Sequence, residues 1–301
     1  MKATLPPELL GQPAGAVARN IGRLFLLKVL EESARIIADE DPEAIHDFRV
    51  ALRRLRNWLQ AFGPWLEDTV TPSSSQRLRR LSRVAGVARD LQVQRLTLRQ
   101  MAEADGPPLA TEARRIELQL DREEIRAREK LSRRVVENLS SSAAKLASQL
   151  HRGGLDAGAS AAGPGPSMAA GMAALLGERL EEVNASIKRL RSARQVEMAH
   201  AARIAMKKLR YLLEPFGSSS RLAATAVLRL TAAQDAFGKL HDIQLLASRI
   251  TGHRAKPAFR AAVRRNLQTA FREACRLSRS RDLRTARDAT SRLIRRLELR
   301  G

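Results

Sequence analysis

The sequence predicts an all-α protein assembled as two similar helical halves, and three observations predict it. Ala, Leu and Arg dominate the 301 residues, while aromatic residues make up only 3%. That mixture favours helices over strands, whose interiors take β-branched and aromatic side chains. A row of basic residues is written twice, about 154 residues apart. Between the copies lies a Gly/Pro/Ala/Ser stretch, Gly153-Gly154 through Gly163-Pro164-Gly165-Pro166-Ser167, which has little to bury and reads as a flexible linker unable to continue a helix. The expected division is a first helical bundle over 1–152, a linker over 153–167, and a second bundle with a C-terminal helix over 168–301.

Cap and breaker signals then place each helix. In the first half they run over about 15–39, 43–62, 74–104 and 108–151, separated by Asp41-Pro42, Gly63-Pro64, Thr71-Pro72-Ser73 and Gly106-Pro107-Pro108. In the second half they run over about 168–191, 195–216, 219–250 and 256–279, with a further helix near 282–299 to close the chain. Pro215 falls near the end of one of these and is expected to terminate or kink it.

The second helix of each half carries the duplicated row. His46-Asp47-Phe48-Arg49-Val50-Ala51-Leu52-Arg53-Arg54-Leu55-Arg56 returns as His200-Ala201-Ala202-Arg203-Ile204-Ala205-Met206-Lys207-Lys208-Leu209-Arg210. The match continues through Leu59/Leu213, Phe62/Phe216 and Gly63/Gly217. A second repeated element follows in the next helix: Gly86-Val87-Ala88-Arg89-Asp90-Leu91-Gln92-Val93 resembles Gly238-Lys239-Leu240-His241-Asp242-Ile243-Gln244-Leu245. Two elements in the same order and nearly the same offset indicate a duplicated unit.

At about 100° per residue, with His46 set at 0°, Arg49, Arg53 and Arg56 fall near 300°, 340° and 280°, and Arg54 near 80°. Phe48, Ala51, Leu52, Leu55, Trp58, Leu59 and Phe62 occupy roughly 120–240°. The helix therefore has one apolar face and one cationic face. Its counterpart sets Ala205, Met206, Leu209, Leu212, Leu213 and Phe216 opposite His200, Arg203, Lys207 and Arg210. The nearest acids in sequence, Asp47 and Glu214, are too few to balance either row. Like charges at this spacing weaken a helix by a few tenths of a kcal/mol per pair. A solvated face explains a single basic helix, but a row repeated in register points to anion binding. Arginine grips phosphate oxygens bidentately and lysine adds a compact charge. His46 and His200, set among cations, are expected to be neutral until an anion arrives.

Composition agrees. Lys and Arg number 54 against 32 Asp and Glu, a formal charge of +22, so the chain's field attracts polyanions. Part of that charge is expected to be ordinary solvated surface. The lone cysteine, Cys275, excludes an internal disulfide and reads as a small core filler. Leu24-Phe25-Leu26-Leu27 is too short for a signal peptide, and no apolar run suggests a membrane span, so a cytoplasmic protein is expected. Catalytic signatures are missing. Gly238-Lys239 lacks the upstream glycines of a phosphate loop, and there is no His-Glu-x-x-His or alternating Glu-x-Glu-x-Lys run. Asp90 and Asp242 are candidate Mg²⁺ ligands, but one carboxylate per half beside Arg89 or His241 fits ion pairing better. No enzyme, metal or cofactor is expected.

These residues resemble the CHAD family, the conserved histidine α-helical domain, over nearly the whole chain. The likeness lies in His-x-x-Arg-Val-Ala-x-Arg-Arg-Leu-Arg, in Lys-Lys-Leu-Arg-Tyr-Leu-Leu-Glu of the second copy, and in the Arg-Asp-Leu-Gln-Val and Leu-His-Asp-Ile-Gln elements. The resemblance implies two four-helix bundles related by pseudo-twofold symmetry, with the basic faces lining a shared groove or pore. It also implies binding of inorganic polyphosphate without hydrolysis, and association with polyphosphate granules and their proteins. By position, the implied ligands are His46, Arg49, Arg53, Arg54 and Arg56, then His200, Arg203, Lys207, Lys208 and Arg210, with Arg89 and His241 added by the later elements. Ala201-Ala202 in place of Asp47-Phe48 should loosen packing while leaving the cations in place. The triphosphatase domain fused to some relatives is not expected here, so their hydrolysis is not carried over.

The alternative is a nucleic-acid-binding protein making sequence-independent phosphate contacts, and nonspecific binding of that kind is expected at low salt. One Tyr and two Trp leave little for stacking bases, and Trp58 belongs to the core border. A metal-dependent phosphohydrolase ranks third. From Arg249 onward cations outnumber acids, leaving two readings open: a second basic surface for a long polymer, or a solvated amphipathic helix.

Overall fold

The protein is seen in a computed structural model that describes residues 4–38, 41, 43–66, 69–105, 107–155, 165–190, 196–251 and 255–301. Its described helices are α1 (Ala14–Ala38), α2 (Ala44–Ala61), α3 (Pro72–Asp105), α4 (Pro107–Leu155), α5 (Met168–Arg189), α6 (Val196–Leu213), α7 (Arg221–Thr251), α8 (Pro257–Ser278) and α9 (Arg281–Glu298). No strand occurs among the described residues beyond an isolated bridge between Pro13 and Ser167. The fold is all-α, with helix bounds within a few residues of those read from the sequence.

The departures have local causes. Pro215 stops α6 at Leu213, and Glu214–Phe216 continues as a 3-10 turn, because the proline ring clashes with the preceding turn and donates no hydrogen bond. Pro72 and Pro107 open α3 and α4, where a missing N–H has no partner to lose. α4 continues through Gly153 and Gly154 to Leu155, so the expected linker begins later than its glycines suggested. Residues 156–164 of that linker lie outside the described residues. Gly165 then takes φ 144°, a value open chiefly to glycine. Ser167 caps α5 by accepting the Ala170 N–H at 3.1 Å.

In the first half α1, α2, α3 and α4 pack in sequence, and α4 returns to α1. In the second half the closed ring is α5, α6, α7 and α9, while α8 lies along α7. The last helix therefore takes the place expected for α8. The reason is a break: α4 is 49 residues long, whereas the corresponding track along α7 is divided at Arg279-Ser280, where Ser280 caps α9. Both tracks run antiparallel to their partner, as Ser74–Gln149 at 2.9 Å and Arg95–Glu124 at 2.6 Å show for α3–α4. Across the molecule α1 meets α5, α2 meets α6, α3 meets α7 and α4 meets α8.

The start of the chain helps join the halves. Leu5 is buried, its N–H donates to the Pro215 carbonyl at 2.7 Å, and its carbonyl accepts from Ser219 Oγ at 3.0 Å. Where α1 approaches α5, a Cβ on Gly171 would lie 3.2 Å from the Ala14 Cβ, so a larger residue there would push the two helices apart.

The apolar faces of α2 and α6 are buried as the helical wheel predicts, Phe48 through Phe62 on one and Ala205 through Phe216 on the other. Trp58 is core: its Nε1 donates to the Ala18 carbonyl at 2.9 Å, and its ring lies 4.4 Å from that of Phe62. Emptying such a site costs about 3–5 kcal/mol. This burial fixes the rotation of both helices, and with it the direction of the basic rows. None of the described helices is long and apolar enough to cross a membrane.

Candidate functional site

Because α2 packs on α6 and each presents its apolar face to its own half, the two cationic rows turn toward one another. Arg53 of α2 and Arg210 of α6 both stack on one ring: their guanidinium carbons are 5.4 and 5.2 Å from the centre of Tyr211. Cation–π attraction holds both side chains there. Asn57 Nδ2 donates to the Lys208 carbonyl at 3.5 Å, another link between the rows. α3 and α7 supply the flanks, with Arg89 and Asp90 from one and His241 and Asp242 from the other.

Cations dominate the electrostatics, with Asp90 and Asp242 as the acids whose charges act on them. Among the described residues Arg53, Arg203 and Lys207 form no ion pair with a carboxylate, and the buried Nε atoms of Arg53 and Arg203 have no hydrogen-bond partner. Burial, then the charges of Arg53, Arg203, Arg49 and Arg210, push the Lys207 amine down to about 6. Burial and the same field, led by Arg203, take His241 down to about 3. His200, whose ring is 5.2 Å from that of His241, is lowered by burial and then by Arg203 and Lys207. His46 is lowered by burial and Arg89, against the opposing pull of Glu43 and Asp47. Arg49, by contrast, donates to Asp90 Oδ1 at 3.0 Å. The Asp242 carboxyl is raised, chiefly by burial and also by Asp90, although Arg203 opposes the shift.

The sequence-derived residues thus separate into groups. Arg49, Arg53, Arg203, Lys207 and Arg210 come together, with His46, Arg89, His200 and His241 around them. Arg54 and Lys208 are held by carboxylates: Arg54 Nε donates to Glu214 Oε2 at 2.6 Å across the halves, and Lys208 Nζ lies 3.5 Å from Glu182 Oε2. Arg89 lies 3.6 Å from Glu43. Arg56 turns toward α3, where burial and then Arg79 and Arg83 lower its pKa. Asp47 is drawn off the row by Arg35, at 2.7 Å.

Sequence reasoning missed Tyr211 and underrated Glu214, which holds Arg54 and also lies 3.4 Å from Arg210 Nε. A signal existed, since Glu214 follows Arg210 by one helical turn and so continues its face. No group of three or more His, Cys, Asp and Glu placed to hold a metal ion occurs among the described residues. What the arrangement offers is a set of guanidinium, ammonium and imidazole donors converging from two helices, suited to several oxygens of one polyanion.

Fold and site together define an all-helical protein in which two basic helix rows face each other. The chain belongs to the CHAD domain family, whose family model matches residues 21–251. A crystal structure of the CHAD domain from the plant Ricinus communis is similar at a TM-score of 0.71 and 19% identity, covering 96% of each chain. PptA from Streptomyces chartreusis is similar at a TM-score of 0.59 and 17% identity, covering 94% of this chain and 99% of that one. At these identities the likeness is one of fold. No curated protein matches the chain.

Proposed function

We propose that the protein binds inorganic polyphosphate between the facing rows of α2 and α6 and does not hydrolyse it. One observation carries the reading: Arg53, Arg203 and Lys207 converge partly buried and, among the described residues, form no ion pair with a carboxylate. Burying an unpaired cation is costly, and a chain of phosphates removes that cost. Membership of a family associated with polyphosphate binding supports the choice of anion. Arg49, Arg53, Arg203, Lys207 and Arg210 grip phosphate oxygens directly. His46, His200 and His241 gain protons as the anion enters, and Arg89, Arg54 and Lys208 extend the field at its edges. Each half of the chain, 1–152 and 168–301, contributes one row, and the pairing of α1 with α5 through α4 with α8 supports a pseudo-twofold relation between them. Attachment to polyphosphate granules follows from the same affinity.

Nucleic acid is the competing ligand. Trp58 and Tyr211 are buried, which removes them as stacking platforms for bases. Titration with long-chain polyphosphate and with DNA at matched phosphate concentration, near physiological salt, tests the choice. Polyphosphate should bind much more tightly, and equal binding would put charge alone in its place. The double variant Arg53→Glu, Lys207→Glu should abolish polyphosphate binding with helical content intact. Retained binding in that folded variant removes the facing rows as the site, and Mg²⁺-dependent phosphate release would restore a hydrolase.

A further inference from the structure

Arg56 leads away from the facing rows, and what it leads to is a second basic site. Between α3 and α4 lies a cleft of about 710 Å³ lined by Arg77, Arg80 and Arg83 from α3 and Lys130 and Arg134 from α4. Among the described residues no acidic side chain lines it. Arg134 has a long ion pair with Glu137 at 3.7 Å, while Arg77, Arg80, Arg83 and Lys130 form none among the described residues. Arg77, Arg80 and Arg83 follow at i, i+3 and i+6 on one helix, a spacing whose mutual repulsion works against the helix. Arg83 joins the two regions, since it lines this cleft and its charge also acts on Arg56. The corresponding N-terminal part of α7 carries only Arg221 and Arg229, and Arg229 pairs with Asp282 at 2.8 Å.

We infer that a long polyphosphate chain leaves the facing rows past Arg56, crosses Arg79 and Arg83, and continues into the α3–α4 cleft. This rests on the function proposed above and adds a direction: the polymer runs over one half of the molecule only. The lining chemistry fits a base-free polyanion, because arginine, lysine, asparagine and serine donors are present and no aromatic side chain lines the cleft for a base to stack on.

The test compares three proteins. The cleft variant is Arg77→Ala, Arg80→Ala, Lys130→Ala, Arg134→Ala. A charge-matched control is Arg260→Ala, Arg264→Ala, Arg292→Ala, Arg295→Ala on α8 and α9, all exposed positions. Wild type is the third, and circular dichroism checks that all are folded. Each is titrated with a polyphosphate too short to span both sites and with one long enough to span them. The cleft variant should bind the short chain like wild type and the long chain about tenfold more weakly, with its salt slope reduced by about 3. The control should stay within about twofold of wild type for both. Equal losses in cleft variant and control, or no loss in the cleft variant, overturn the path. So does a cleft variant that loses affinity for DNA while keeping it for long polyphosphate. If wild type binds neither chain, the proposed function itself falls and the path with it.

Discussion

The basic rows of α2 and α6 share their spacing but differ in kind. After its histidine, His46, the first is all guanidinium: Arg49, Arg53, Arg54 and Arg56, with Arg89 beside them. The second puts Lys207 and Lys208 where the first has Arg53 and Arg54, and His241 where the first has Arg89. Facing the fixed row, this second row yields. Lys207 falls to about 6 and His241 to about 3. One row is thus mostly fixed charge, and the other holds more groups whose charge depends on their surroundings. A duplicated motif need not duplicate a function, because each copy sits in the field of the other.

Replacing the two equivalent residues breaks the comparison most directly. Arg53→Ala removes a permanent charge-assisted contact, worth roughly 1.5–3 kcal/mol, or about 10–100-fold in affinity. Lys207→Ala at pH 8 should lose far less, since an amine titrating at about 6 must first be protonated, and each pH unit of that costs about 1.4 kcal/mol. At pH 6 the two losses should converge. Calorimetric titration at both pH values checks this, and equal losses at pH 8 would mean that Lys207 is charged in the empty protein.

The next effect is a proton taken up on binding. A polyanion raises the pKa of Lys207 and of the histidines, so affinity should rise several-fold as pH falls from about 8 to about 6. Titrations in buffers of different ionisation enthalpy should show net proton uptake at pH 7, reduced in Lys207→Arg with affinity retained. Stability has the opposite sign in the empty protein. The lysine's ordinary value is 10.5 and its folded value about 6, so between them the unfolded chain holds more protons and stability rises with pH. The melting temperature of the empty protein should therefore rise from pH 6 to pH 8 by more than that of Lys207→Met.

Helix positions, the buried face of α2 and the existence of two basic rows were legible because they are periodic. Trp58 could be assigned to the core from its angle on the wheel, and Pro215 could be expected to end or kink α6. What could not be read depends on neighbours distant in sequence. The wheel sets Arg56 and Arg210 at the same angle, yet one meets Arg79 and Arg83 and the other meets Tyr211 and Glu214. The attachment of Leu5 to Pro215 and Ser219 spans most of the chain and has no repeat to announce it. Likewise, a further helix near 282–299 is visible in sequence, but its consequence, α9 replacing α8 in the ring, follows only from packing.

Tyr211 offers a smaller test of how the rows are coupled. Its ring positions one guanidinium from each row, so Tyr211→Leu keeps the apolar volume but removes the cation–π attraction, about 0.5–2 kcal/mol per contact. Affinity should fall about threefold to tenfold, and Arg53→Ala in that background should lose less than in wild type. Additive losses would show that the ring fills space without orienting the guanidinium groups.

The smallest expected change is a gain. Glu214 takes Arg54 at 2.6 Å and lies 3.4 Å from Arg210, so one carboxylate engages a cation from each row and competes with any phosphate for both. Glu214→Gln keeps the shape and a hydrogen-bond acceptor while removing the charge. Both guanidinium groups then become available to the anion, and affinity should rise about twofold to fivefold, by the size of a partly exposed ion pair. The same carboxylate also ties the halves together when no anion is present, so the empty variant should melt at a lower temperature, with the deficit recovered on adding polyphosphate. A variant that binds more weakly would instead make Glu214 a positioning residue that aims Arg54 and Arg210 at the polymer. The two roles separate cleanly in a double variant with Arg54→Ala: relief of competition predicts that much of the gain disappears, whereas lost aim predicts that the two losses overlap.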